Sequence, residues 1–158
     1  MFSYAEPLDG PVLTLVAKAA KELEMFIAVN HPVLLDDGKH NTTILFNRQG
    51  KIEGYYHKMY PTRGELAEQI VPGDHAVVLE TEIGRLGLAI CFYLNFPELC
   101  EAYRQLQPYL ILFSSIFPGR HLALTWALET GAYFVGCIVD PGSLIVRGLR
   151  KPSPSHHF

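Results

Sequence analysis

The sequence predicts an α/β layered fold with a mixed sheet, and two observations lead to this fold class. In the first half, strand patterns are separated by tight turns, of which residues 47–50 form the clearest, and this spacing is typical of β-hairpins. In the second half, strand patterns alternate with helical ones, beginning with the apolar run 86–90 and the helical run 99–106. Such helices bury an apolar stripe on a sheet face, so we expect helices outside a mixed sheet.

The first helix is expected to begin near Pro11, because Leu13, Val16 and Ala20 recur at helical spacing. Strands are expected at 25–29, 42–46 and 52–56, and a long irregular loop at 57–74. The second half is predicted to contain strands at 76–80, 86–90, 109–114 and 132–139, with helices at 99–106 and 121–128. Residues 147–158 are predicted to be a frayed tail of one partial domain, 1–158.

Composition excludes several classes of function. The chain has 158 residues, of which 49% are hydrophobic and 18% charged, as in a globular domain. A net charge of −3 gives no support for nucleic-acid binding, and no apolar run approaches membrane-spanning length. The three cysteines have neither disulfide nor zinc-site spacing, and the first residues do not resemble a signal peptide. We therefore expect a cytoplasmic protein with free thiols, no metal and no cofactor.

Cys91 ends the apolar run 86–90, and Pro97 and Glu98 then open a helical pattern. A strand fixes a thiol at such a turn, the turn exposes it, and nearby backbone N–H groups can face an oxyanion. Most unpaired cysteines are small buried hydrophobes, so Cys91 alone predicts no reaction. Lys58 and Glu65, in the loop after a strand, add the cation and carboxylate that amide chemistry requires.

Four stretches in one order carry a resemblance to carbon–nitrogen hydrolases of the nitrilase superfamily, which use a Glu-Lys-Cys triad. The resemblance covers residues 5 to about 136 and implies an α-β-β-α layered sandwich, incomplete in this chain. The stretches are 5–11, the loop with Lys58, Pro61, Thr62 and Glu65, the nucleophile motif 87–91 with 96–98, and the run 111–115 with 126–129 and 133–135.

The resemblance implies acyl transfer through a thioester on Cys91, with release of ammonia or an amine. Lys58 and the backbone N–H of Phe92 would stabilise the oxyanion, and Glu65 would orient Lys58. Ser114 and Ser115, just past a strand, would line the pocket wall opposite the loop. The substrate would be a small carboxamide or carbamoyl compound, and exposed apolar faces favour a homodimer or higher homo-oligomer.

The chain departs from the family's pattern at Tyr93, where an acidic residue is typical, and at Asn95, a substrate-binding candidate where many members have arginine. The family's general-base glutamate precedes the segment 5–11, at which this chain begins, so we expect a partial chain. Glu6, Glu22 and Glu24 do not replace it.

Alternative hypotheses are a nitrilase acting on a nitrile, and a catalytically incomplete remnant or scaffold. A metal or redox module would use Cys100, Cys137, His156 and His157, whose spacing fits no ligand pattern.

Overall fold

The structure, a computed structural model, describes residues 2–139 and 142–149, and of Arg120 only the backbone. Contacts divide the chain into two compact units, a first unit Met1–His75 and a second unit Ala76–Phe158. The expectation of one domain over 1–158 stays a prediction.

The first unit contains an antiparallel sheet in the order β1-β2-β3. Its elements are α1 Pro11–Glu22, β1 Ile27–Leu35, β2 Gly38–Phe46, β3 Ile52–His57 and α2 Arg63–Ala67. The predicted apolar stripe of α1 lies inward, since its core cluster consists of Leu13, Ala20, Val33, Ile44 and Phe46. The hairpin expected at 47–50 connects β2 to β3.

Glu6 precedes α1, and its carboxylate has a structural role at the first turn of this helix. Its two oxygens accept hydrogen bonds from the backbone N–H groups of Val12 at 3.2 Å and Leu13 at 2.8 Å. A carboxylate at this end satisfies orphan donors and complements the helix dipole. His31 Nε2 lies 3.7 Å from the same carboxylate.

The second unit contains a five-stranded mixed sheet in the order β4-β5-β6-β7-β8. Its elements are β4 Val78–Thr81, β5 Gly84–Ile90, a 3-10 helix Cys91–Asn95, α3 Pro97–Leu106, β6 Leu110–Ser115, α4 Arg120–Thr130, β7 Tyr133–Ile138 and β8 Leu144–Val146. The three central strands are parallel and both outer pairs antiparallel. The α/β fold class with a mixed sheet is confirmed.

Two predicted segments differ from the structure. The strands β1 and β2 are longer than their apolar patterns, because polar residues continue the ladder, with His31 opposite Thr42 and Pro32 opposite Asn41. The loop 57–74 contains α2, and Thr62 and Glu65 form a capping box at its start. The Thr-x-x-Glu spacing is a signal for this helix that the periodicity alone did not show.

The predicted tail 147–158 lies largely outside the described residues. Gly148 is buried, and a Cβ there would lie 2.2 Å from the backbone oxygen of Ala132. Among the helices that the structure describes, none is both long and apolar enough to cross a membrane.

Candidate active site

Lys58 and Glu65 form a buried ion pair in the first unit. Their side chains meet with Lys58 Nζ 2.6 Å from Glu65 Oε2, and the residues are only 1% and 7% exposed. Burial of two charges is unfavourable unless geometry and further hydrogen bonds compensate it. The sequence-predicted partners are therefore in contact, in a setting where the charges carry a large desolvation penalty.

Three donors converge on the Glu65 carboxylate. Lys58 Nζ and the backbone N–H of Thr62 donate to Oε2 at 2.6 and 2.5 Å, and Asn41 Nδ2 donates to Oε1 at 2.6 Å. Burial raises the pKa of Glu65, but the hydrogen bonds from Lys58, Thr62 and Asn41 together outweigh it and hold this pKa below its ordinary value. Glu65 is thus kept as a carboxylate, the form that pairs with an ammonium group.

Backbone contacts fix the loop that carries this pair. The N–H of Lys58 donates to the carbonyl of Asn41 at 2.9 Å, and the N–H of Gly73 donates to the carbonyl of Lys58 at 3.0 Å. Gly73 is required there, because a Cβ would lie 2.3 Å from the backbone oxygen of His57. The first end of the loop is consequently tied to β2, and the second end is tied to the first.

Cys91 lies in the second unit, where β5 passes into the 3-10 helix. Its φ of +53° is in the left-handed region, which is unfavourable for any residue with a Cβ. The strand before it is buried, including Leu88, Ala89 and Ile90, and the thiol residue is half-buried. A strained turn at the end of a buried strand is the arrangement that projects a nucleophile from a sheet.

The parallel register of the second unit places other predicted residues near the same sheet edge. Ile90 is opposite Ser114 and Ser114 opposite Cys137, so Cys91 and Ser115 each follow directly on these positions. Carboxyl ends of parallel strands are where α/β proteins commonly bind ligands.

The three predicted substrate-binding residues, Phe92, Asn95 and Ser115, differ in exposure and in hydrogen-bond partners. Phe92 is 47% exposed, with its ring 5.8 Å from that of Phe117. Asn95 donates its amide to the carbonyl of Phe92 at 2.7 Å, and Ser115 Oγ both donates to the carbonyl of Phe117 and accepts its N–H. Asn95 and Ser115 therefore use these groups to stabilise their own turns.

Tyr93, the departure from the acidic residue typical of the family, is fully buried within the 3-10 helix that begins at Cys91. Its ring lies 6.0 Å from that of Phe96, and the next residue, Leu94, accepts a hydrogen bond from Trp126 Nε1 at 3.2 Å. In this chain, aromatic packing therefore contributes to holding the turn at Cys91.

The metal or redox alternative gains no support from the described residues. Cys100 lines a groove of about 420 Å³ between α3 and α4, where burial above all raises its thiol pKa to about 11, and Cys137 is exposed. His156 and His157 lie outside the described residues. Within 2–139 and 142–149, no group of three or more His, Cys, Asp or Glu residues could hold a metal ion.

The sequence reasoning did not find Asn41, which contacts both members of the ion pair. The only local signal was a polar run, 40–43, ahead of the apolar end of β2. Burial of such a run, with Asn41 at 7% exposure, requires internal hydrogen-bond partners.

Comparison with known proteins identifies the family of this chain. The carbon-nitrogen hydrolase family matches residues 1–137. Deaminated glutathione amidase from Dictyostelium discoideum is 30% identical over 129 residues, which are 72% of this chain and 44% of that protein. The chain covers between 34% and 58% of the length of the curated relatives it matches.

Two solved structures share the fold. Nit3 from Saccharomyces cerevisiae, described as a member of branch 10 of the nitrilase superfamily, matches with a TM-score of 0.79 at 21% identity, over 94% of this chain and 62% of that one. A mutant of the amidase from Nesterenkonia sp. AN1, described as showing covalent addition of the acetamide moiety of fluoroacetamide at the active site cysteine, has a TM-score of 0.74 at 20% identity, over 87% and 58%. Because the family match covers residues 1–137, well over half of the sequence, the chain belongs to the carbon-nitrogen hydrolase family.

Proposed function

We propose that this chain hydrolyses a small carboxamide through a thioester on Cys91. The observation that carries the proposal is the backbone of Cys91, a residue with a Cβ held at φ +53° where a buried strand ends. Such strain persists where the surrounding structure requires it, which is common at reacting groups. The family and the amidase names of its relatives favour an amide as substrate.

In the proposed reaction, the Cys91 sulfur attacks the carbonyl carbon and the C–N bond breaks. The amide nitrogen leaves as ammonia with the thiol proton, and water then releases the carboxylic acid and restores the thiol. Lys58 and the backbone N–H of Phe92 stabilise the oxyanion, while Glu65 orients the ammonium group of Lys58.

A second candidate is a chain that forms the thioester without releasing it. The three nearby glutamates considered as replacement bases have other settings: Glu6 caps α1, Glu22 pairs with Lys18 on the surface, and Glu24 is exposed. Without a group that accepts a proton from water, deacylation would be slow even where acylation is fast.

Intact-mass spectrometry of the purified chain, after incubation with simple amides, nitriles and carbamoyl amino acids, tests both candidates. An acyl adduct that clears with time indicates a hydrolase, and one that persists indicates the second candidate. A nitrile would first add whole as a thioimidate, so its adduct differs in mass from that of the matching amide.

The matched variants are Cys91→Ala and Cys100→Ala. We expect the adduct to disappear only in Cys91→Ala, because burial raises the pKa of the Cys100 thiol to about 11 and leaves little thiolate there. An adduct retained in a folded Cys91→Ala variant, or none in the folded parent chain, would overturn the proposal. The same spectra recorded under native conditions test the proposed homo-oligomer.

A further inference from the structure

Asn41 contacts both members of the ion pair, Glu65 through its side chain and Lys58 through its backbone. Among the described residues around the pair, no other does so. Its amide nitrogen donates to Glu65 Oε1 at 2.6 Å, and its carbonyl oxygen accepts the backbone N–H of Lys58 at 2.9 Å. It is buried in β2, so the carboxylate cannot exchange this donor for bulk water without a change in structure.

The orientation of the Asn41 amide is fixed by a second asparagine. Asn30 Nδ2 donates to Asn41 Oδ1 at 2.8 Å and to the carbonyl of Thr42 at 3.0 Å. Because an amide oxygen accepts and an amide nitrogen donates, a donor on Oδ1 turns the NH₂ group of Asn41 toward Glu65. The hydrogen bonds therefore run in one direction, from Asn30 through Asn41 to Glu65.

With the Asn41 donor, both oxygens of the Glu65 carboxylate accept hydrogen bonds. Lys58 Nζ and the N–H of Thr62 occupy Oε2, which leaves Oε1 to Asn41. A carboxylate fixed at both oxygens has one orientation, and so does the ammonium group bonded to it. Loss of the donor on Oε1 would let the carboxylate rotate away from Lys58.

We propose that Asn41 is a positioning residue for the reaction, which acts through Glu65 to fix the Lys58 ammonium group and touches no substrate itself. The inference rests on the proposed function of Lys58, and it adds Asn30 as the residue that orients Asn41.

The test variant is Asn41→Asp, which keeps the size of the side chain and replaces the donor with a second carboxylate. Two carboxylates this close share a proton, so the pKa of Glu65 should rise and the acid limb of the rate–pH profile should move to higher pH. The acylation rate should fall about 10- to 100-fold, as for loss of a hydrogen bond to a charged group, with KM little changed.

Asn47→Asp is the matched control. Asn47 also donates its amide to a carboxylate, Glu53 Oε2 at 2.8 Å, but this contact is exposed at the β2–β3 turn. The control should keep the parent rate and pH profile. Asn30→Ala, at an exposed position, leaves Asn41 in place and should lower the acylation rate about 2- to 10-fold, as for a neutral hydrogen bond.

Carbon-13 NMR titration of the glutamate carboxyls gives a readout that does not need turnover. If the parent chain forms no adduct, the proposed function fails and the role of Asn41 in the reaction fails with it, while a raised pKa of Glu65 in Asn41→Asp then supports only the contact by which Asn41 orients the Glu65 carboxylate. An unchanged Glu65 titration in folded Asn41→Asp would overturn that role. If Asn41→Asp does not fold, a parent-like rate in Asn30→Ala would overturn it equally.

Discussion

The surroundings of Lys58 and of Cys91 hold their functional groups by different physical means. Around Lys58, buried charge is compensated by hydrogen bonds, since two side-chain donors and the backbone N–H of Thr62 converge on the carboxylate of Glu65. Around Cys91, a strained backbone at φ +53° follows a buried strand and is supported by aromatic packing from Tyr93. Charge substitutions should therefore act mainly on the first region, and backbone substitutions on the second.

The largest effect is expected from Lys58→Met, which leaves the buried Glu65 carboxylate without its cation. Breaking a buried pair on one side should lower the free energy of unfolding by about 3–5 kcal/mol. Hydrogen exchange of peptides from residues 38–73 would measure the loss. The double variant Lys58→Met/Glu65→Gln removes both charges and should recover much of it.

Lys18→Met is the matched control, because Lys18 pairs with Glu22 at 3.6 Å while both side chains are more than 60% exposed. A surface pair of this kind contributes little, so no measurable change is expected. Equal losses in Lys18→Met and Lys58→Met would contradict the view that compensation of buried charge distinguishes the region around Lys58.

The comparison also explains which parts of the site the sequence could predict. The strand, the turn and the thiol were visible, because apolar runs and Pro-Glu starts are local signals. The contact of Asn41 with Lys58 and Glu65 was not visible, since it depends on the register between β2 and β3, in which Thr42 lies opposite His57. Register is set by whole-strand pairing and turn geometry rather than by any one residue.

The backbone conformation of Cys91 and the local hydrogen bonds of Ser115 were missed for a second reason, while the substrate-binding role of Ser115 stays a prediction. A left-handed turn is usually marked by glycine, and here a cysteine occupies it, so the residue type gave no warning of the strain. The hydroxyl of Ser115 forms hydrogen bonds with the backbone of Phe117 within its own turn. Such local bonds compete with ligand binding, and a serine at the end of a strand has the same sequence pattern in both cases.

A smaller, pH-dependent effect is expected at His57, directly before Lys58. Burial first, then the charge of neighbouring His40, lowers its pKa from 6.5 to about 4. Below pH 6.5 the unfolded chain therefore binds a proton that the folded chain does not bind until about pH 4. The free energy of unfolding should therefore decrease as the pH is lowered through this window. The decrease should be about 1–2 kcal/mol, because the ring is only half-buried.

Several rings, one hydroxyl and several charged groups surround the His57 ring. They are the stacked ring of His40 at 4.2 Å, Thr42 Oγ1 at 2.8 Å, the ring of Tyr55 at 5.0 Å, and the charges of Asp37, Asp74 and His75. Urea unfolding from pH 7 to pH 4 should show a shallower decline in His57→Gln. His75→Gln, at an exposed ring, should keep the parent slope, and equal slopes in all three proteins would assign the decline to other groups.

The smallest effect separates strain from packing at Cys91. Glycine adopts a left-handed φ without a Cβ clash, so Cys91→Gly should be more stable than Cys91→Ala by about 1 kcal/mol. Trp126 fluorescence during urea unfolding suits the measurement, because its Nε1 donates to Leu94 in the same 3-10 helix. Gln107→Gly, at φ +54° after α3, is the matched control and should gain a similar amount over Gln107→Ala. If glycine were more stable than alanine at position 107 but not at position 91, the turn at Cys91 would carry no backbone strain. Packing alone would then position the thiol.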